Sequence, residues 1–215
     1  MPSIPKHTIF LVDTSVSMHG PKMDHARESV DLLLGNLSDR DFVNVLFFDD
    51  DVHSFVPVNN ATNTTDGVDR PFQVTPDVAD DILDALDAHA NSSSAALSSN
   101  LTLAIAAALE LDGAVWRDGH LPENAYTLIV LLTDGRSYLD RASALAALAE
   151  VKDLNKLSRI PVIVLGMGFD ANADFLHEIP DRNGGVAVNV IEDFEVEPQL
   201  EQVKEELIVL DMWRI

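Results

Sequence analysis

Four stretches of this chain are apolar almost without interruption: residues 9–12, 42–48, 126–133 and 162–167. Runs without polar alternation mark strands buried on both faces, as in a parallel sheet. Between them, apolar positions recur at helical spacing. Met23, Ala26, Val30, Leu33, Leu34 and Leu37 form one such stripe, and Ile82, Leu83, Leu86 and Ala90 a second. Leu145, Leu148, Val151, Leu154 and Leu157 form another. Val196, Leu200, Val203, Leu207 and Leu210 form the last. Residues 101–111 are Ala-rich and apolar on most sides, which predicts the most buried helix. Residues 52–58 contain Pro57 and closely follow Phe48, which fits a short antiparallel edge strand in a hairpin. Residues 186–190 fit a last strand. Residues 59–76 and 112–124 read as surface loops. The alternation predicts a doubly wound three-layer α/β/α sandwich, mostly parallel with one antiparallel edge strand. Its 215 residues are read as a single domain, 1–215.

Charge narrows the partners. Thirty-six acidic residues against 14 basic ones give a net charge of −22. Such a field repels phosphate, so nucleic acid and anionic membrane are disfavoured, and cations and basic protein surfaces are favoured. The acidity is mainly Asp, 25 against 11 Glu. That bias fits a high-salt or calcium-rich setting. The chain has no Cys, which excludes disulfides, thiol catalysis and cysteine–zinc sites. No apolar run approaches the roughly 20 residues of a membrane helix. The first residues do not read as a signal peptide, because the apolar run at 9–12 is too short. The abrupt start before a strand favours a domain of a larger protein with an extracellular or cell-surface setting. A full-length chain would instead be cytoplasmic. Asn36, Asn60, Asn63, Asn91 and Asn100 each open an Asn-x-Ser/Thr sequence, which adds to the extracellular reading.

The chemistry is concentrated in two motifs. Asp13-Thr14-Ser15-Val16-Ser17 follows the first apolar run, and Thr133-Asp134-Gly135 follows the third. Both lie where a buried strand ends, and in an open α/β sheet ligands bind at that edge. Two carboxylates and two hydroxyls form a set of hard oxygen ligands, suited to Mg2+, Mn2+ or Ca2+ rather than zinc or copper. Alone, either motif reads more simply as a helix cap or a turn. Together, on strand ends, they favour a cation. Asp49-Asp50-Asp51 reads as a solvated turn. The histidines show no ligand spacing. Enzymatic motifs are missing: Gly166-Met167-Gly168 lacks a dinucleotide fingerprint's third glycine, and no nucleophile elbow or phosphate loop occurs. Lys22 is the nearest lysine to the motifs and reads as a surface residue.

Over essentially its whole length the chain resembles the von Willebrand factor type A domain. Asp13-x-Ser15-x-Ser17-Met18 after a first strand, with Thr133-Asp134-Gly135 after a later one, carries the resemblance. Residues 37–45 look like the second-strand region of calcium-channel alpha-2/delta subunits. Residues 162–169, Phe175-Leu176 and Asn183-Gly184-Gly185 look like the later part of inter-alpha-trypsin inhibitor heavy chains. The resemblance implies a Rossmann-like fold and a metal-ion-dependent adhesion site. It implies that Ser15 and Ser17 bind Mg2+ directly, with Asp13 and Asp134 binding directly or through water. The family's middle loop supplies a Thr from Gly-Gly-Thr-Asn. Here the stretch is Leu97-Ser98-Ser99-Asn100, so Ser99 is the expected ligand, with Ser98 and Thr102 as substitutes. Val16 stands where the family has Gly, which requires that loop to keep ordinary backbone angles.

The function implied is a non-catalytic adhesion module that recognises an acidic side chain of a partner protein. Met18, His19, Asn100 and Gly135 are the expected partner-facing residues around the metal loops. The alternative is an intracellular module of the same family that couples a partner to an ATPase or chelatase. A phosphoesterase or an inert scaffold ranks below both. In related domains the last helix slides to open the site, and residues 194–210 correspond to it here.

Overall fold

The computed structural model describes residues 4–57, 70–90, 96–191, 196–201 and 203. In chain order the first half contains β1 (Lys6–Asp13), α1 (Pro21–Leu34), β2 (Phe42–Phe48), β3 (Val52–Ser54), β4 (Phe72–Gln73), α2 (Pro76–Ala90) and α3 (Leu101–Arg117). The second half contains β5 (Tyr126–Thr133), α4 (Arg141–Leu154), β6 (Val162–Met167), α5 (Ala173–Asn183), β7 (Ala187–Val190) and α6 (Val196–Gln199). The strands form one sheet in the order β3-β2-β1-β5-β6-β7, with β4 also paired to β2. The pairs β1–β2, β1–β5, β5–β6 and β6–β7 are parallel. Both antiparallel partners lie on β2: β3 at its end, with Phe48 opposite Val52, and β4 at its start, with Phe42 opposite Gln73.

Each central strand feeds two cores, because successive side chains point to opposite faces. Phe10 and Val12 face the layer holding Met23, Val30, Ile82, Leu86, Val196 and Leu200. Ile9 and Leu11 face the layer holding Leu101, Ile105, Leu148, Val151, Phe175 and Leu176. Helices α1, α2 and α6 therefore cover one face of the sheet, and α3, α4 and α5 the other. Each fully buried large aliphatic side chain contributes about 1.5–3 kcal/mol relative to exposure.

Several sequence expectations are corrected. The proposed loop at 112–124 begins as helix: α3 runs on to Arg117. Asp112 is buried rather than exposed, because it joins a polar network beneath the sheet. The Thr127 hydroxyl donates to Asp112 Oδ1 at 2.5 Å, and the fully buried His7 lies 3.4 Å from that oxygen and 2.8 Å from Asn44 Oδ1. The loop at 59–76 is also shorter than expected at its end, since β4 and the start of α2 fall within it. Residues 59–69 of that loop lie outside the described residues. On α4, Ala147, Leu148 and Val151 face the core, whereas Leu145 and Leu154 are exposed, as is Leu157 beyond the end of the helix. Of the expected stripe, Leu148 and Val151 are therefore on the buried face, and the other three leucines are not. Helix α3 buries seven of 17 residues against seven of 14 in α1, so it is not the more buried of the two. Of the last stripe, Val196, Leu200 and Val203 are fully buried as expected, while Leu207 and Leu210 lie outside the described residues.

One backbone feature carries a prediction. Arg159, in the tight link from α4 to β6, has φ +52° and is the only non-glycine with positive φ among the described residues. Its N–H donates to the Asn155 carbonyl at 2.8 Å, and the Asn155 side chain braces Ile160 at both N and O. Left-handed backbone strains a residue with a Cβ, and glycine relieves that strain, offset in part by the greater freedom it gives the unfolded chain. Arg159→Gly is expected to stabilise the fold by about 0.5–1 kcal/mol. Chemical denaturation checks this, and a lower unfolding midpoint would contradict it.

Candidate metal centre at the carboxyl edge of the sheet

The parallel strands β1, β2, β5 and β6 all end at the same edge, so the loops that follow them meet there. Asp13 is the last residue of β1 and is fully buried. Its Oδ1 accepts the Ser15 N–H at 2.9 Å, and its Oδ2 accepts the Thr133 hydroxyl, from the end of β5, at 2.5 Å. Burial raises the Asp13 pKa above its ordinary 3.8 by penalising the charged form, and these hydrogen bonds offset only part of that penalty. An unneutralised buried carboxylate is costly. A nearby cation would remove much of that cost.

Ser15 leads into a short 3-10 turn, Val16–Met18, which turns Ser17 back toward β5. The Ser15 and Ser17 hydroxyl oxygens lie 3.2 Å apart, and the Ser17 hydroxyl donates to Asp134 Oδ1 at 3.1 Å. Val16 keeps a negative φ, so the valine is accommodated without strain. Asp134 is 1% exposed, and its Oδ1 also accepts the Arg136 N–H at 3.1 Å. Gly135, at φ +66°, makes the turn that aims this N–H back at the carboxylate. Two hydroxyls and two carboxylates thus converge from β1 and β5. Their spacing and all-oxygen chemistry fit a hard divalent cation in contact with Ser15, Ser17 and Asp134, with Asp13 behind them. Among the described residues no group of three or more His, Cys, Asp or Glu forms a metal cluster, so the hydroxyls are essential to such a site.

The middle loop joins this edge, though not the hydroxyl group itself. Ser99 is buried, and its hydroxyl lies 3.0 Å from that of Ser137. Its N–H donates to Ser137 Oγ at 2.8 Å. Ser98 points to Asp50, and the Thr102 hydroxyl donates to Asn100 Oδ1 at 3.0 Å, within the cap of α3. Neither substitute is directed at Asp134. The loop is held at this edge by two backbone bonds, Asn100 N–H to Asp49 O at 2.7 Å and Val16 N–H to Ala96 O at 2.9 Å. Among the expected partner-facing residues, Met18 and Gly135 are buried, His19 is half-buried, and Asn100 is exposed but spends its side chain capping α3. The exposed apolar residues on these loops are instead Val16, Leu97, Leu139 and Phe169.

The sequence reading missed the charged residues that complete the centre. Lys22 is not a surface residue: it is 7% exposed, its Nζ lies 2.8 Å from Asp134 Oδ2 and 2.6 Å from Asp170 Oδ1. Arg136 pairs with the other oxygen of Asp170 at 2.8 Å. Desolvation works to lower the Lys22 pKa, but hydrogen bonds and attraction from Asp134 and Asp170 outweigh it and hold the pKa above the ordinary lysine value. The Lys22 hydrogen bond likewise holds Asp170 below the usual carboxylate value. One signal was available in the sequence. Lys22 sits in the first turn of α1, the end of a helix that repels a cation.

A von Willebrand factor type A domain profile matches residues 8–206. Inter-alpha-trypsin inhibitor heavy chain H4 of Homo sapiens is 27% identical over 205 residues, covering 95% of this chain and 20% of that protein. The chain spans about a fifth of the length of the curated relatives it matches. Among solved structures, the manganese-loaded TRAP protein of Plasmodium vivax matches with a TM-score of 0.62 at 18% identity, over 92% of this chain and 72% of that one. Proximal thread matrix protein 1 from the mussel byssus, with a zinc-occupied MIDAS motif, matches at 0.64 and 16% identity, over 95% and 48%. At such identities the structural likeness shows the fold.

Proposed function

Because the chain belongs to the von Willebrand factor type A family, we propose that it is a non-catalytic protein-interaction module that works through a divalent cation. Asp13, Ser15, Ser17 and Asp134 hold the ion, with Mg2+ the first choice and Mn2+ or Ca2+ as alternatives. Ser99 joins through the middle loop if Ser137 releases it. The observation that carries this reading is the run of oxygens from the Ser15 hydroxyl to that of Ser17, 3.2 Å away, and from Ser17 to Asp134 Oδ1 at 3.1 Å. The manganese and zinc in the two structural neighbours support a divalent ion here.

The ion supplies a Lewis-acidic position open to a partner's carboxylate. The protein's own residues do the rest. The Thr133 hydroxyl and the Ser15 N–H hold the Asp13 carboxylate in place. The Arg136 N–H and Lys22 orient Asp134. Val16, Leu97, Leu139 and Phe169 offer apolar contact on the surrounding loops. A chain of net charge −22 would otherwise repel an acidic partner, so the cation also decides where such a partner can dock. Calorimetric titration of chelator-stripped protein with Mg2+, Mn2+ and Ca2+ tests this. One saturable site is expected, and no saturable heat with any of the three would refute the reading.

A further inference from the structure

Lys22 breaks a local rule that its surroundings explain. A lysine in the first turn of a helix opposes the helix dipole, and a buried ammonium needs close partners. Lys22 is 7% exposed and lies in the first turn of α1. Its compensation is two carboxylates from other loops, Asp134 at 2.8 Å and Asp170 at 2.6 Å. Local rules are broken most often where a site needs the offending residue. The other oxygen of Asp134, Oδ1, accepts the Ser17 hydroxyl at 3.1 Å. One oxygen of Asp134 therefore faces the proposed cation position, and the other is held by an internal cation.

We propose that Lys22 is the built-in counter-cation of this centre: it holds divalent-ion affinity down and leaves the loaded site with an excess positive charge for a partner's carboxylate. The inference rests on the cation reading above. The charge count supports it. When ionised, Asp134 and Asp170, paired with Lys22 and Arg136, together with Asp13 beside Asp134 leave the cluster with one net negative charge. A divalent ion brings it to plus one, which a single carboxylate then neutralises. Without Lys22 the loaded centre would already be neutral. Lys22 therefore weakens the ion and strengthens the demand for an anionic ligand. Cation and carboxylate then bind with positive coupling, and the coupling is reciprocal.

Two substitutions of opposite expected sign test this. Lys22→Met keeps the aliphatic stem and removes the charge. It is expected to tighten Mn2+ binding about tenfold, since a like charge no longer sits beside the ion's ligand. Its metal-free melting temperature is expected to fall, because Asp134 and Asp170 lose their partner, and Mn2+ is expected to restore it. Asp170→Asn leaves the Lys22 charge to Asp134 alone and is expected to weaken Mn2+ binding roughly threefold. Acetate is the probe for the excess charge: relaxation of its protons by protein-bound Mn2+ is expected to drop in Lys22→Met. Weaker or unchanged Mn2+ binding in Lys22→Met would overturn the proposal, since a residue that merely props Asp134 in place would lower affinity when removed. If Lys22→Met does not fold, Asp170→Asn decides alone, and tighter binding there overturns it. The parent protein's own titration tests the cation site separately, so its failure and that of the Lys22 role are distinguishable.

Discussion

Asp13→Ala is expected to weaken divalent-cation binding at least about a hundredfold, roughly 3 kcal/mol. Asp13 contributes more than its charge. Its two oxygens hold the Ser15 N–H and the Thr133 hydroxyl, so it fixes both the loop that presents Ser15 and Ser17 and the strand end that presents Asp134. Alanine removes the charge and leaves two buried donors without their acceptor. Asp13→Asn separates these effects, because it keeps the shape and one carbonyl acceptor for the Ser15 N–H, while its amide can donate to the Thr133 hydroxyl oxygen. It is also expected to lose cation binding, yet to melt higher than the parent in chelator at pH 7.

The sign follows from the raised Asp13 pKa. Below 3.8 the carboxyl is protonated in both folded and unfolded chains and costs nothing. As pH rises from 3.8 through the raised folded value, the unfolded chain ionises more readily, and stability falls. Above 3.8 this cost is present in the metal-free protein, and asparagine does not incur it. Melting curves of parent and Asp13→Asn, each with chelator and with Mg2+, check both halves. An Asp13→Asn protein that still gains stability from Mg2+ would place the ion elsewhere.

Gly185→Ala is expected to be the most disruptive single-methyl change at the opposite pole, destabilising by about 3 kcal/mol or more. Gly185 connects α5 to β7 at φ +115°, a backbone region that side chains resist. A Cβ there would lie 2.4 Å from the Val162 carbonyl oxygen, which is backbone and cannot turn aside. The neighbouring Gly184 carbonyl accepts the Val162 N–H at 2.9 Å, so the segment cannot move away without breaking a bond to β6. For a chain of this length the melting temperature is expected to fall by on the order of 10 °C. Calorimetry at fixed salt checks this, since a charge of −22 makes stability salt-dependent. A shift within a degree or two would mean that β7 can detach from the sheet at little cost.

Much of the architecture was legible because it depends on periodicity. The uninterrupted apolar runs could only be strands covered on both faces, and each became a parallel strand of the sheet. The stripes of α1 and α2 named the buried apolar residues of both helices, with Leu37 and Ala90 half-buried at their ends. Errors arose where one side chain found a distant partner. Asp112 reads as polar loop, yet Thr127 and His7 draw it inside α3. The leucines of α4 carry more apolar surface than its alanines, yet Ala147 is buried beside Leu148 and Val151 while Leu145 and Leu154 are exposed.

The sequence by itself determined the layered α/β order, the family, and the two strand-end motifs, because strand burial and motif spacing are local properties of the chain. Only the tertiary structure decided which groups meet. It set the Thr133 hydroxyl against Asp13, turned Ser99 toward Ser137, and buried Lys22 between Asp134 and Asp170. Those pairs are separated by dozens of residues and meet at the edge where the parallel strands β1, β5 and β6 end. Their energies depend on distance and burial, which exist only once the strands are paired.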